Sequence, residues 1–394
     1  MARRFGIGWQ VGGTTGWGVY GLALMLRGAA RGLAPVPVYI SPTFTPDPLQ
    51  ARLIAPLRSR WFIEQEFFSL GEGAVQADYP FLLGLGNDLA PPDAIDYISG
   101  MPDIGVVFFE HRAIPAADLA RAKDRFAGMV AGSSWNAEVL RDHGFGNVVF
   151  CPQGVDLTRF HPAPKDGALA GRFVVFSGGK LEFRKGQDIV VEAFRRFHAR
   201  HPEALLMVAW HNHWDASVAS LERSPHGVGR PGRDAETGAW RIAEWLASQG
   251  VPPDAVIDLG EVAHAEMPRL LRECDVGLFP NRCEGGTNLV AMECMACGVP
   301  AILSANTGHR DLLARPGASL ALTVQGTVAG TADDAPDLFL DWGESDPDEA
   351  VERLEWVFAN RAEAAETGAR GAAFLREWAW PDKIDALLST LGWL

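Results

Sequence analysis

The 394-residue sequence is poor in cysteine, has no long hydrophobic run and carries no surplus of positive charge. Each absence closes off a class of protein. Five cysteines, an odd and sparse number, do not make a disulfide framework, and they point to reduced thiols and a cytosolic compartment. Cys294 and Cys297 form a C-x-x-C, but with no second pair at metal-ligand spacing they read as small buried helix residues. No stretch approaches the ~18 apolar residues of a membrane span. Met1-Ala2-Arg3-Arg4 precedes only a short, glycine-broken apolar run, which is no signal peptide. A formal charge of −14 leaves no basic surface for the phosphates of a nucleic acid, so nucleic acid is not expected as a partner. A local cationic pocket for one phosphorylated ligand is compatible with that charge, and so is peripheral membrane contact.

What is present is the composition of an ordinary globular protein, 47% hydrophobic and 21% charged, long enough for two domains with their own cores. Short apolar runs at 5–11, 36–40, 81–85, 105–109, 129–131 and 148–151 read as strands. Helical patterns lie between the later ones, at 116–126 and 136–142. Strands alternating with helices imply a parallel sheet with helices on its faces. Pro152-Gln153-Gly154-Val155-Asp156 and the prolines 162 and 164 break the pattern as a linker would. The rhythm then restarts with a strand at 173–176, a loop at 177–186 and an amphipathic helix at 187–200. Further strands at 204–209 and 255–259 and a helix at 264–272 follow.

Several loops fall where such sheets bind ligands, outside the carboxyl ends of strands. Gly12-Gly13 leads into Gly16, Gly18 and Gly21, a G-x-G-x-x-G. The second strand ends in Ser41-Pro42-Thr43 rather than in the acid a dinucleotide site requires, so no nicotinamide cofactor is expected. Asn87-Asp88 and Glu110-His111-Arg112 end two other strands. The segment 210–238 is long, polar and glycine-rich; its His211-x-His213 pair has a metal-ligand spacing but reads as solvated loop. Asp346-Pro347-Asp348 reads as a helix cap with proline in the first turn, not as a metal-binding D-x-D.

The most informative stretch is Cys283-Glu284-Gly285-Gly286-Thr287-Asn288-Leu289-Val290-Ala291-Met292-Glu293, continuing to Gly298-Val299-Pro300. It follows the apolar run 276–280 and reads as a turn with one carboxylate leading into a helix with a second. Gly285 and Gly286 are expected to leave backbone N–H groups open at a helix start bearing about half a positive charge, a place for a diphosphate. Flanking carboxylates suit sugar hydroxyls.

Two distant stretches carry a resemblance. Ser177 to Asp188, with Gly179-Lys180-Leu181 and Lys185-Gly186-Gln187-Asp188, resembles the G-R-L-x-x-x-K-G-x-D loop of family 4 retaining glycosyltransferases. The 284–300 stretch is similar to that family's E-x7-E followed by E-A-M-A-C-G-x-P, with eight rather than seven residues between Glu284 and Glu293. The run 152–160, Leu259-Gly260-Glu261-Val262 and Thr307-Gly308-His309-Arg310-Asp311 resemble further landmarks in the same order. The resemblance is firm over 150–315 and loose in the amino-terminal half. It implies the GT-B fold: two Rossmann-like, doubly wound parallel-sheet domains facing across a cleft. The amino-terminal, acceptor-side domain would span 1–160 and the nucleotide-sugar-binding domain 161–377, with a helix over 378–394 packing back on the first.

The resemblance also implies a metal-independent, retaining transfer from a nucleotide diphosphate sugar, which is a substrate; no cofactor is expected. Lys180 and Lys185 would hold the diphosphate, Glu293 the ribose, Glu284 the donor sugar, and His111 would stand near that sugar. The residues Gly286, Thr287, Asn288, Leu289 and Val290 would cradle phosphate, with Gly12 and Gly13 closing from the first domain. Catalytic roles thus fall to His111, Glu284 and Lys185, and donor binding to the remainder. The acceptor would be a sugar, glycan, lipid-linked or small-molecule hydroxyl. The alternatives are a nucleotide-sugar-binding or scaffold protein without catalysis and a GT-B-fold epimerase. A phosphorylase is disfavoured because no pyridoxal-phosphate lysine context is evident.

Overall fold

The computed structural model describes residues 3–42, 44–57, 68, 73–330, 334 and 337–394. Two six-stranded, wholly parallel sheets dominate it. The first takes Arg4–Val11 (β1), Ala34–Ile40 (β2), Phe81–Leu85 (β3), Asp103–Val107 (β4), Gly128–Ala131 (β5) and Val148–Phe150 (β6), in the order β2-β1-β3-β4-β5-β6. The second takes Phe173–Lys180 (β7), Ala204–His211 (β8), Val256–Asp258 (β9), Val276–Phe279 (β10), Ala301–Ser304 (β11) and Leu320–Leu322 (β12), in the order β9-β8-β7-β10-β11-β12. Both orders are doubly wound; in the second the strand order reverses between β7 and β10, which opens a crevice at their carboxyl ends.

The strands are buried on both faces, which is why they read as apolar runs rather than as alternating patterns. Two sequence expectations shift. The strand expected at 105–109 runs from 103 to 107, leaving Phe108 and Phe109 beyond the sheet edge. The strand expected to end at 176 continues through Ser177, Gly178 and Gly179 to Lys180, because β8 pairs with it over its whole length. Neighbouring backbone outweighs the poor strand preference of glycine there. Asp346 caps its helix through the N–H of Asp348, with Pro347 in the first turn. All five cysteines are free and buried. No helix among the described residues is long and apolar enough to cross a membrane.

The chain passes between the two sheets at 152–156 and returns at 376–380. The two passages touch: the Val155 N–H donates to the Trp378 carbonyl at 2.8 Å, and Val155 and Ala379 form a parallel bridge. The last helix, Trp380–Thr390, then lies on the Gly16–Ala30 helix of the amino-terminal half. Trp380 stacks on Tyr20 at 5.6 Å, and Asp385 receives Arg27 Nε at 2.8 Å and Arg31 Nε at 3.0 Å. These two guanidiniums hold the Asp385 carboxyl far below its ordinary range.

Gly154 sits where the passages cross, and a Cβ there would stand 2.6 Å from the Trp380 Cα and 3.0 Å from the Trp378 carbonyl oxygen. Both are backbone atoms that cannot swing aside. Gly154→Ala is therefore expected to cost about 1–3 kcal/mol of unfolding free energy in a urea titration, the usual penalty of overpacking. A loss below a few tenths would show that the crossing is slack.

Candidate active site

The site is built on the two loops that leave the carboxyl ends of β7 and β10. The β7 loop turns through a single helical turn, Phe183–Lys185, and Gly186 in the left-handed region (φ 69°) into the Gln187–His198 helix. The β10 loop carries Asn281 to Asn288 into the Leu289–Ala296 helix.

Arg282 locks these loops together. Its side chain is fully buried and bonds to both oxygens of Asp188 at 2.8 and 2.6 Å, to both of Glu344 at 2.5 and 2.7 Å, and to the Phe183 carbonyl at 2.8 Å. Its guanidinium lies 3.9 Å from the Phe183 ring centroid. The Arg282 N–H donates to the Arg184 carbonyl at 2.8 Å. Burial alone would raise the Asp188 pKa, but the guanidinium overrides it and the carboxyl stays below its ordinary value. Every polar group of this network has a partner, the condition under which a buried charge is tolerated.

Above that lock the functional side chains meet. Glu284 is 4% exposed; its Oε1 receives Lys185 Nζ at 2.5 Å and the Asn281 amide, and its Oε2 receives Arg184 Nη1 at 3.2 Å. Burial pushes the Glu284 carboxyl up, but Lys185, Arg184 and His309 push harder, and its pKa falls to about 2. Burial and Arg184 lower the Lys185 pKa, while Glu284 opposes them. The carboxylate is the firmer of the two charges. Arg184 also faces Glu182 at 2.5 Å and, from the amino-terminal half, Glu110 at 3.4 Å.

Asn288, in the left-handed region at φ 62°, caps the next helix by accepting from the Ala291 N–H at 3.3 Å. Its amide donates to His309 Nε2 at 3.0 Å, and His309 Nδ1 bonds to Ser304 Oγ at 2.9 Å. Ser304 donates onward to the Asn281 carbonyl at 2.6 Å. His309 is thus a neutral link within the β10 loop, and burial with the nearby cations lowers its pKa to about 4. The N–H groups of Leu289 and Val290 open the helix and have no hydrogen-bond partner among the described residues, as first-turn donors do. Glu293 gives Oε1 to His264 Nε2 at 2.6 Å, and its other oxygen makes no hydrogen bond among the described residues.

The remaining expected site residues have the following settings. Lys180 projects from the end of β7 over the Trp214 ring, 5.1 Å from its centroid, away from Lys185. The Thr287 hydroxyl turns inward onto the Met292 sulfur at 3.0 Å, so only its backbone is free for a ligand. Gly285 and Gly286 pack closely against the first half: a Cβ on Gly285 would stand 2.1 Å from the Phe108 carbonyl oxygen, and Ser133 Oγ donates to the Gly285 carbonyl at 2.6 Å. These glycines let the two halves touch. His111 stacks on Trp342 and gives Nδ1 to the Leu338 carbonyl at 3.1 Å. Gly12 and Gly13 end β1, with the Gly12 N–H bonded to the Gly18 carbonyl at 3.1 Å and Gly13 under the Phe44 ring. A cavity of about 870 Å³ opens between the halves beside Arg112, Glu138, Thr307, Arg310, Gln325 and Trp342, on the Thr307 side of Glu284. Sequence reading missed Arg184, Arg282 and Asn281; only the proximity of Arg184 to Lys185 in the chain was a signal.

Two facing Rossmann-like sheets with the ligand loops of the second turned toward the first define the GT-B architecture, shared with solved glycosyltransferases. HepE of Anabaena, solved with UDP and glucose, superposes with a TM-score of 0.65 at 13% identity over 100% of both chains. Sucrose-phosphate synthase of Thermosynechococcus elongatus gives 0.65 at 15% identity over 99% of this chain and 98% of that one. Residues 171–340 match the family model Glycosyl transferases group 1. A GDP-mannose-dependent monoacylated alpha-(1-6)-phosphatidylinositol monomannoside mannosyltransferase of Corynebacterium glutamicum is 24% identical over 58% of this chain and 52% of its own. A D-inositol 3-phosphate glycosyltransferase of Stackebrandtia nassauensis is 30% identical over 48% of this chain and 42% of its own. The chain spans about half the length of the curated relatives it matches.

Two outcomes test this geometry. Removing the Arg282 guanidinium strands Asp188 as an unpaired buried charge, so Arg282→Ala is expected to lower stability by about 3–5 kcal/mol. A variant within 1 kcal/mol of wild type in chemical denaturation would contradict the lock. His309, neutral when folded, takes a proton when unfolded below its ordinary pKa of 6.5 and when folded only near 4. Protons therefore favour the unfolded chain, and stability is full above pH 6.5 and falls toward pH 4, by roughly 3 kcal/mol for this group. The difference between wild type and His309→Gln, measured at pH 7 and pH 4.5, should shrink by that order at the acid end; an unchanged difference would mean that His309 is protonated when folded.

Proposed function

We propose that the protein is a retaining glycosyltransferase that moves a sugar from a nucleotide diphosphate donor to an acceptor hydroxyl. The observation that carries this reading is the Lys185–Glu284–Arg184 constellation, set at the strand-order reversal beside the unpartnered N–H groups of a helix start. A diphosphate draws Lys185 from Glu284 and settles against the Leu289 and Val290 N–H groups. Glu284, fixed in its ionised form, then accepts a hydroxyl of the donor sugar, and the free oxygen of Glu293 accepts from the ribose.

In the transfer the bond from the anomeric carbon to phosphate oxygen breaks, and a bond to the acceptor oxygen forms on the same face. The acceptor proton passes to the departing phosphate. Lys185 stabilises the charge that develops on the nucleotide, so the transfer asks for no metal. His111 faces the sugar from the first half with Nε2, its Nδ1 proton being held by Leu338. Gly12 and Gly13 approach the diphosphate, and Lys180 guards the rim. Residues 1–160 form the acceptor side, 161–377 the donor side, and 378–394 the returning helix, in a cytosolic protein. The acceptor enters through the cavity beside Arg112 and Arg310, which has the volume of a small-molecule site. The relatives named above include a GDP-mannose-dependent enzyme, and a structural neighbour holds UDP, so both bases belong in the test.

A thermal-shift panel of UDP, GDP, ADP and dTDP sugars is expected to single out one base that raises the melting temperature by mass action. Lys185→Ala and Glu293→Ala should each abolish that rise, and Lys185→Ala should lower turnover by about 10²–10³-fold. Stabilisation of the wild type without donor hydrolysis or transfer would leave a nucleotide-sugar-binding protein in place of the enzyme. No stabilisation by any sugar nucleotide at millimolar concentration would remove the donor site itself.

A further inference from the structure

We infer that His211, His213 and Glu261 form a divalent transition-metal site of the zinc type, separate from the groups assigned to the donor. His211 ends β8, paired in register with Lys180 of β7. Its Nε2 lies 3.2 Å from His213 Nδ1 and 3.7 Å from Glu261 Oε2. A tetrahedral ion held at about 2.0–2.2 Å by nitrogen and oxygen places its ligand atoms about 3.3–3.6 Å apart. These two separations bracket that range, and all three ligand atoms lie within 4.8 Å of one another, so an ion is accommodated by side-chain rotation. Two imidazoles and a carboxylate form a donor set that zinc uses with a fourth position open to water.

The backbone that carries these ligands is fixed. Between the histidines, Asn212 is 2% exposed, and its amide donates to the Leu181 carbonyl at 3.1 Å. Its Oδ1 accepts from the Trp214 N–H at 3.1 Å, and its carbonyl accepts from the Trp240 indole at 2.8 Å. The Leu181 N–H donates to the His211 carbonyl at 3.1 Å. Glu261 follows Gly260, which is in the left-handed region at φ 56° with its N–H bonded to Asp258 Oδ1 at 3.0 Å. Two separate turns are thus set with their side chains converging, which is the preorganisation that a metal site needs. Burial lowers the His211 pKa; Glu261 opposes this, and His213 and Arg233 reinforce it.

A second cluster of similar composition, Asp188, His226 and Glu344, is excluded because Arg282 already sits between its two carboxylates as the resident cation. The proposed ion instead ties the first residues of the 212–240 segment to the turn after β9. Calorimetric titration of the full chain with zinc chloride alone is expected to show one equivalent bound, weakened at least tenfold in His213→Ala and in Glu261→Gln and unchanged in His226→Asn. Both test residues are exposed, so circular dichroism should report an unaltered fold. Cobalt should give a tetrahedral visible spectrum without the near-ultraviolet thiolate band that cysteine ligation at Cys294 and Cys297 would produce. Absence of zinc binding, binding that survives His213→Ala, or a thiolate band would each overturn the site.

Discussion

A single buried guanidinium holds the active region in shape. Arg282 has no exposed surface, and its five donors go to Asp188, Glu344 and the Phe183 carbonyl. Through those bonds the loop after β10, the first turn of the helix after β7 and the short strand Gly343–Ser345 become one piece. Gly343 completes the tie by donating its N–H to the Arg282 carbonyl at 2.9 Å. Lys185, Arg184 and Glu284 stand on this piece and inherit its rigidity. Charges so far from water persist only because each has a counter-charge and no polar atom is left over.

The same logic accounts for the resting state of the site. Lys185 and Glu284 neutralise one another in a dry setting, so neither carries an uncompensated charge before a ligand arrives. An anionic ligand exchanges one partner for another instead of creating a charge. The contact between the halves is polar as well: the Trp342 indole donates to the Glu110 carbonyl at 2.7 Å, Ser134 N–H to Asp311 at 2.9 Å and Arg112 to Asp341 at 2.8 Å. Such contacts exchange with water at modest cost, in contrast to the apolar cores behind each sheet.

Much of this was legible in the residues. The βα alternation gave the parallel sheets, and the spacing around Lys185 and Glu284 marked two loops that the fold brings together. What stayed hidden depended on distance in the chain. Arg282 looks like any surface arginine until Asp188 and Glu344, 94 and 62 positions away, close around it. The small size of Gly285 and Gly286 also serves the approach of Phe108, which no local pattern encodes. Thr287 was indistinguishable from a ligand-facing hydroxyl until the helix turned it onto Met292. Lys180 kept its place in the motif, but Trp214, from the intervening segment, drew its ammonium aside.

The paired passages at Val155 and Ala379 fix the mechanics of the molecule. Because both chain crossings lie side by side and are hydrogen-bonded to one another, they make a double-stranded pivot. Any rotation of one half against the other turns about that seam, which behaves like the spine of a book. Displacement grows with distance from it, so contacts between the halves that lie far from the seam move most. The Arg27–Asp385–Arg31 clamp makes the final helix travel with the first half, so the spine has the last segment of the chain bound into one cover.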